Sequence, residues 1–280
     1  MIYNSVHTNS MVFTSLAGLN RINQQIQVVM KQINTGYKVN DALDDGAAFA
    51  VAQGLRADII ANEAVRGRIM SSKGTLAVAN EAATKISDTI TRMKGTLTIL
   101  ADDNLSDDAR ALYQSQFESQ RSEIQNYIDN ATFGGVNVLD NTSGFRVMTS
   151  VNGNTTNIQT YNLNNDIIGL LNTTPTTAAD AQTLLTGNFV TAQQNIGITL
   201  STIGNGSIQI SNQADFLGAV SDATEVGLGA IVDADLAKAA ARLQSLQIQQ
   251  QLATITLGMS VRNNDYLLKL FDGINRFRSY

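Results

Sequence analysis

Few residues in this chain could do covalent chemistry. It has 280 residues, no Cys, no Trp and a single His. Without Cys there can be no disulfide, thiol nucleophile, iron–sulfur cluster or Cys-ligated zinc. One imidazole, His7, cannot build a multi-histidine metal site, and no Ser and Asp arrangement accompanies it as a triad would require. The acids at 102–108 lack the Gly and closing Glu of a calcium loop, so they read as a helix break and cap. Gly227-Leu228-Gly229 lacks the third Gly of a dinucleotide fingerprint, and Gly204-Asn205-Gly206 reads as a bend. No catalytic residue, cofactor or metal is expected. The residues with a repeated spacing are apolar, and their chemistry is burial.

Those stripes define the elements. Val12, Leu16, Leu19, Asn23, Ile26, Met30 and Ile33 recur at intervals of four and three, a coiled-coil seam that Gly36 ends. The polar Asn23 within it reads as a register-fixing residue. Residues 40–46 read as a linker that caps the next helix with its acids. A long second helix follows, with Leu76, Ala79, Ala83, Ile86, Ile90, Met93, Leu97 and Leu100 on one face. A third carries Tyr113, Phe117, Gln120, Ile124, Tyr127 and Ala131.

After Gly134-Gly135 the composition turns to Asn, Thr, Ser and Gly, and Val136 to Tyr161 predicts one or two β-hairpins. Thr174-Pro175 reads as an N-cap with Pro in the first helical position. A further run, Phe189, Gln193, Ile196, Leu200, Ile203, Ser207, Ile210, Ala214 and Leu217, is interrupted at residues 232–235. The last helix follows with Leu236, Ala239, Leu243, Leu246, Gln250, Ala253 and Leu257, and continues through Leu267, Leu268, Leu270 and Phe271.

Composition agrees with long helices. The chain has one Pro, where average usage of about 5% would put roughly fourteen. It has 19 Lys and Arg against 24 Asp and Glu, a net charge of −5 that argues against a nucleic-acid partner. No run approaches the length of a membrane span, and no secretory signal pattern opens the chain, so no membrane insertion is expected. On composition alone that suggests a cytoplasmic protein. Residues 147–237 contain no Lys or Arg, which has no account at this level.

The predicted fold is mainly α: an elongated coiled-coil helical bundle with paired N- and C-terminal helices and a small β-hairpin region at the tip. Residues 1–40 with 233–280 form the terminal-helix domain, 41–135 with 175–232 the helical bundle, and 136–174 the tip. The terminal helices are too narrowly amphipathic to hold a core alone, which suggests assembly with further copies. The self-assembly stripe is Leu16, Leu19, Ile26, Met30, Ile33, Leu236, Leu243, Leu246, Leu257, Leu267, Leu270 and Phe271.

Several segments resemble one family. His7-Thr8-Asn9-Ser10 resembles the Asn-Thr-Asn-Ser opening of bacterial flagellins. The stretch from Lys31 to Ala48 is similar to their Arg-Leu-Ser-Ser-Gly-x-Arg-Ile-Asn-x-Ala-x-Asp-Asp-Ala-Ala pattern, and Phe133 to Leu139 to their Phe-Asn-Gly-x-x-Val-Leu. Val232 to Leu236, Leu246 to Leu252 and Leu267 to Phe271 resemble the closing pattern. Together the matches cover residues 4–140 and about 208–271.

The resemblance implies a non-enzymatic subunit of the flagellar filament, exported unfolded without a cleaved signal and polymerising through its terminal helices into a hollow tube. It implies copies of itself as partners, with an export chaperone, filament cap and junction proteins, and an extracellular location. That overrules the cytoplasmic reading. The alternative is the hook–filament junction protein. The short interval between the matching stretches implies that large outer domains are absent.

Three departures accompany the resemblance. His7 stands where the opening motif has Asn. Residues 272–280 extend past the Leu-Phe ending and are expected to alter the channel lining or an end-to-end contact. Thr91-Arg92-Met93-Lys94-Gly95-Thr96 stands where many members have Gln-Arg-Val-Arg-Glu-Leu, the stretch animal innate receptors read, which implies weak immune detection.

Overall fold

A computed structural model describes the chain from Asn9 to Phe277, and its side chains as far as Arg262. Six helices and two short hairpins follow one another. They are α1 (Ser10–Thr35), α2 (Gly46–Leu100), α3 (Asp107–Asn130), β1 (Thr132–Phe133), β2 (Val136–Asn137), β3 (Phe145–Met148), β4 (Thr155–Ile158), α4 (Ala178–Thr186), α5 (Asn188–Val232) and α6 (Leu236–Phe277), with a π-helical turn at Asn164–Ile168. By contacts the chain forms two units, residues 1–56 with 225–280, and residues 57–224.

The helix ends follow from their residues. Asn9 caps α1 by accepting from the N–H groups of Met11 and Val12. Gly36 ends it in the left-handed region (φ 75°), with its N–H donating to the Gln32 carbonyl. Asp45 accepts from Ala47 and Ala48 at 3.0 Å and starts α2. Ser106 caps α3, and Asp102 accepts from Asn104 within the acidic connection. The acids at 102–108 therefore do the work of breaking and capping.

In the unit of residues 57–224 the core is continuous. All eight stripe residues of α2, from Leu76 to Leu100, are buried. They pack with Phe117, Ile124 and Ile128 of α3, Phe189, Ile196, Ile203, Ile210 and Leu217 of α5, and Val147 and Ile158 of the second hairpin. Tyr113 and Tyr127 lie half-buried against it, and Ala131 is buried. Gln120 is buried with its carbonyl oxygen unpartnered in the protein.

Four local expectations change. The first hairpin opens at Thr132, with Gly134-Gly135 as its two-residue turn. Both glycines have positive φ (58° and 81°), which a primed hairpin turn demands. Thr174-Pro175 does not start a helix. Thr177 does, through a capping box with Asp180, while Thr174 donates to Glu118 and the Pro175 carbonyl accepts from Gln114. Gln193 is exposed and its neighbour Ala192 takes the core position.

Finally, Gly204-Asn205-Gly206 is no bend, since α5 runs through it unbroken. A Cβ at Gly206 would stand 2.7 Å from Ile158 Cγ2, so the missing side chain is what lets β4 rest on the helix. Gly74 of α2 does the same for the ring of Phe133.

Candidate assembly surface

The unit of residues 1–56 with 225–280 is built on α1 and α6, which run antiparallel. Asn9 Nδ2 donates to the Ser260 carbonyl at 3.4 Å and Gln250 Nε2 donates to Asn23 Oδ1 at 2.7 Å. At the far end Tyr37 bridges Asp233, the Lys38 N–H donates to the Val232 carbonyl, and the Ala234 N–H donates to the Gly36 carbonyl. Asn23 therefore sits across the helix pair with a polar partner, where it can fix register.

The seam between the helices is narrow. Val29, Ala239 and Leu246 are its buried residues, with Ile22, Ile26, Ile33 and Leu243 packed against them. Three buried side chains are few for helices of this length. A second small cluster joins Val39, Ala52 and Val232, with Phe49 and Leu228 against it.

The predicted stripe divides accordingly. Ile26, Ile33, Leu243 and Leu246 lie in the seam, and Leu19 and Leu257 are half-buried. Leu16, Met30 and Leu236 stand 43%, 46% and 50% exposed. Leu267, Leu270 and Phe271 lie beyond the described side chains, and His7 lies outside the described residues. Val29 was missed because a strict seven-residue count from Val12 selects Met30. The seam keeps the heptad spacing but in another register, with Ile22 and Val29 standing one residue before the counted Asn23 and Met30 while Ile26 and Ile33 are shared.

Sequence reasoning also missed a second stripe on α6. Ile248, Leu252, Ile255 and Met259 are 54–65% exposed. Each lies nine residues after Ala239, Leu243, Leu246 and Gln250 in turn. Nine residues are about two and a half turns, so this stripe is on the opposite side of α6 from the seam. The signal was present in the sequence as spacings of four, three and four. On α1, Phe13 and Val28 are also exposed, 62% and 52%. A helix that is apolar on opposite sides suits a buried layer, and among the described residues only one side is covered.

The connection after α1 is held by charge. Lys31 Nζ donates to Asp41 at 2.7 Å and to both carboxylate oxygens of Asp44 at 2.8 Å. Asp41 also accepts from the Leu43 N–H, and Asp44 from the Asn40 N–H. The Lys31 hydrogen bonds are the main reason that both carboxyls are held below the usual carboxylate range and that the ammonium is pushed up. Among the described residues no group of His, Cys, Asp or Glu could hold a metal ion, and no helix is long and apolar enough to cross a membrane.

Similarity to known proteins agrees with this architecture. The profile of the bacterial flagellin N-terminal helical region matches residues 6–144, and that of the C-terminal helical region matches residues 186–271. Flagellin FljK of Caulobacter vibrioides is 34% identical over 97% of this chain and all of its own length. A flagellin of Brucella melitensis is 28% identical over 96% of this chain and 99% of its own. A solved structure of a flagellar hook-associated protein from Vibrio parahaemolyticus has a TM-score of 0.58, with 15% identity, over 68% of this chain and 99% of that one, a likeness of fold alone.

Proposed function

The chain belongs to the bacterial flagellin family, and we infer from that membership and from its two-sided terminal helix that it is a structural subunit of the flagellar filament. The observation that supports polymerisation through the terminal helices is the pair of apolar stripes on α6. One meets α1 and the other, Ile248 to Met259, is left for neighbouring copies. Ordering long helices costs conformational entropy that one narrow seam offsets poorly, and burying the second stripe against a neighbour makes up the difference.

On this reading residues 1–40 with 233–280 are the polymerising domain. Residues 41–135 with 175–232 are the helical bundle domain, and residues 136–174 the small β-hairpin region. Leu16, Leu19, Ile26, Met30, Ile33, Leu236, Leu243, Leu246 and Leu257, with Leu267, Leu270 and Phe271 beyond them, line contacts within and between subunits. The filament is a hollow tube, and its subunits leave the cell unfolded through a type III route with a chaperone and meet a cap and a junction protein. A chain without Cys suits that route, since no disulfide can lock it before export. The family is structural, so the role is mechanical and not enzymatic.

The junction-protein alternative is not favoured. Full-length relatives at 28–34% identity are flagellins, while the hook-associated structure shares the fold at 15% identity.

Removal of residues 1–34 tests the reading. The shortened chain should fail to form filaments, while circular dichroism retains the signal of α2, α3 and α5. Normal filaments from the shortened chain would contradict polymerisation through the terminal helices.

A further inference from the structure

The chain has two Asn-Gly pairs, Asn152-Gly153 and Asn205-Gly206, and the fold places them differently. An Asn side chain carries an amide carbon that the backbone nitrogen of the next residue can attack. Glycine has no Cβ to hinder that approach, and it has the widest backbone freedom to make it. Both asparagines are exposed, so exposure alone does not separate the pairs.

Asn152-Gly153 lies in the loop that joins β3 to β4, where Val151 to Asn154 are all exposed. Gly153 stands in the left-handed region (φ 83°), and a Cβ there would meet nothing within 4 Å. Its N–H donates to the Ser150 carbonyl at 3.1 Å, within the same loop. Opening such a turn breaks no core contact and costs little.

Asn205-Gly206 lies inside α5, which runs unbroken from Asn188 to Val232. There the backbone nitrogen is held in the helical ladder, and swinging it onto the preceding side chain breaks that ladder. Gly206 is also buried, with Ile158 of β4 resting on it. Opening this site means lifting a strand from the core.

We propose that Asn152 is a site of spontaneous deamidation and that the helix spares Asn205. The Gly153 nitrogen, its proton taken by hydroxide, attacks Asn152 Cγ. The new N–C bond closes a succinimide, the bond from Cγ to Nδ2 breaks, and ammonia leaves with a proton from water. Water then opens the ring at either carbonyl, giving aspartate or isoaspartate. Each conversion adds a carboxylate to a stretch, residues 147–237, that holds no Lys or Arg. The isoaspartyl product also lengthens the loop between β3 and β4 by one backbone carbon. The conversion runs one way, so its extent records the age of the chain. It needs no partner but water and does not depend on the filament reading.

The test follows purified full-length chain at mildly alkaline pH, folded and in guanidinium chloride, by mass spectrometry after digestion with a protease that cuts before Asp. No Asp or Glu lies within residues 141–165 or 181–214, so the two sites fall in separate fragments that begin at Asp140 and Asp180. An aspartate formed at position 152 splits the first fragment. Isoaspartate leaves it whole but heavier by the difference between an amide and an acid.

In the folded chain Asn152 should convert within about fivefold of its unfolded rate, and Asn205 at least about tenfold more slowly than its own. Asn152→Gln, whose longer side chain closes a ring far more slowly, should leave the first fragment unchanged. An Asn152 protected by the fold as strongly as Asn205, or an Asn205 that converts as fast folded as unfolded, would overturn the assignment. A change that persists in Asn152→Gln would belong to another asparagine and would overturn it too.

Discussion

Single residues decide how the elements meet. Gly206 lies inside a long helix, where Gly costs about 1 kcal/mol relative to Ala, yet it is the contact point for Ile158. Gly206→Ala would regain that propensity but drive a methyl against a β-branched side chain that cannot rotate away. Overpacking of this kind costs roughly 1–3 kcal/mol, so the expected result is a lower melting temperature, restored in part by Ile158→Ala. A stabilised Gly206→Ala would contradict the packing.

Lys31 is a second such residue. Its partners Asp41 and Asp44 have lowered pKa values, so their contribution is present above the usual carboxylate value of 3.8 and lost as pH falls through their folded values. The Lys31 pKa is raised, so its contribution is present below 10.5 and lost as pH rises through its folded value. Hydrogen exchange at the Asn40 and Leu43 amides should therefore be slowest between those limits, beyond the intrinsic pH dependence of exchange. Lys31→Met should accelerate it near neutral pH, and an unchanged exchange profile would remove the clamp from the account.

Arg92 is similarly engaged, donating to both carboxylate oxygens of Glu123 at 2.9 Å and to Thr89 at 2.7 Å. The stretch in which it stands has the family's Glu and Leu replaced by Gly95 and Thr96, and on that ground weak innate-receptor detection is expected. Full activation in a receptor reporter assay would refute it.

At the scale of elements, the helices of the bundle were legible because their stripes are consumed internally. Leu76 to Leu100 is buried without exception, so periodicity and burial say the same thing. The terminal helices were legible as helices but not as surfaces. Their apolar residues serve two sides, and a search for one stripe merges them, which is how Met30 displaced Val29 and how Ile248 to Met259 went unassigned. The hairpins were legible from Asn, Thr and Gly. Their docking was not, because the signals for it, Gly74 and Gly206, look like helix weaknesses until the partner ring or methyl is in view.

The two sides of α6 can be separated by mutation. Leu252→Asp changes an exposed side chain and should leave monomer stability within about 0.5 kcal/mol while stopping filament growth. Val29→Asp places a charge in the seam, and should destabilise the α1–α6 pair as well as stop growth. If Leu252→Asp grew normal filaments, the outer stripe would have no assembly role.

At the scale of the whole molecule, the bundle has a continuous core of its own, while among the described residues the terminal pair has a seam of three buried side chains and an exposed apolar stripe on α6. A terminal pair with so small a core of its own is expected to gain stability from neighbouring copies, as a subunit that orders on assembly would. The continuation of α6 to Phe277 adds helix beyond the Leu-Phe ending of the family pattern.

The most direct test of the central claim is to add purified chain to sheared filament seeds and measure filament length by electron microscopy. Long tubes should grow from the seeds. Seeds that bind the chain without lengthening would contradict it, since the terminal helices would then be used once and not propagated.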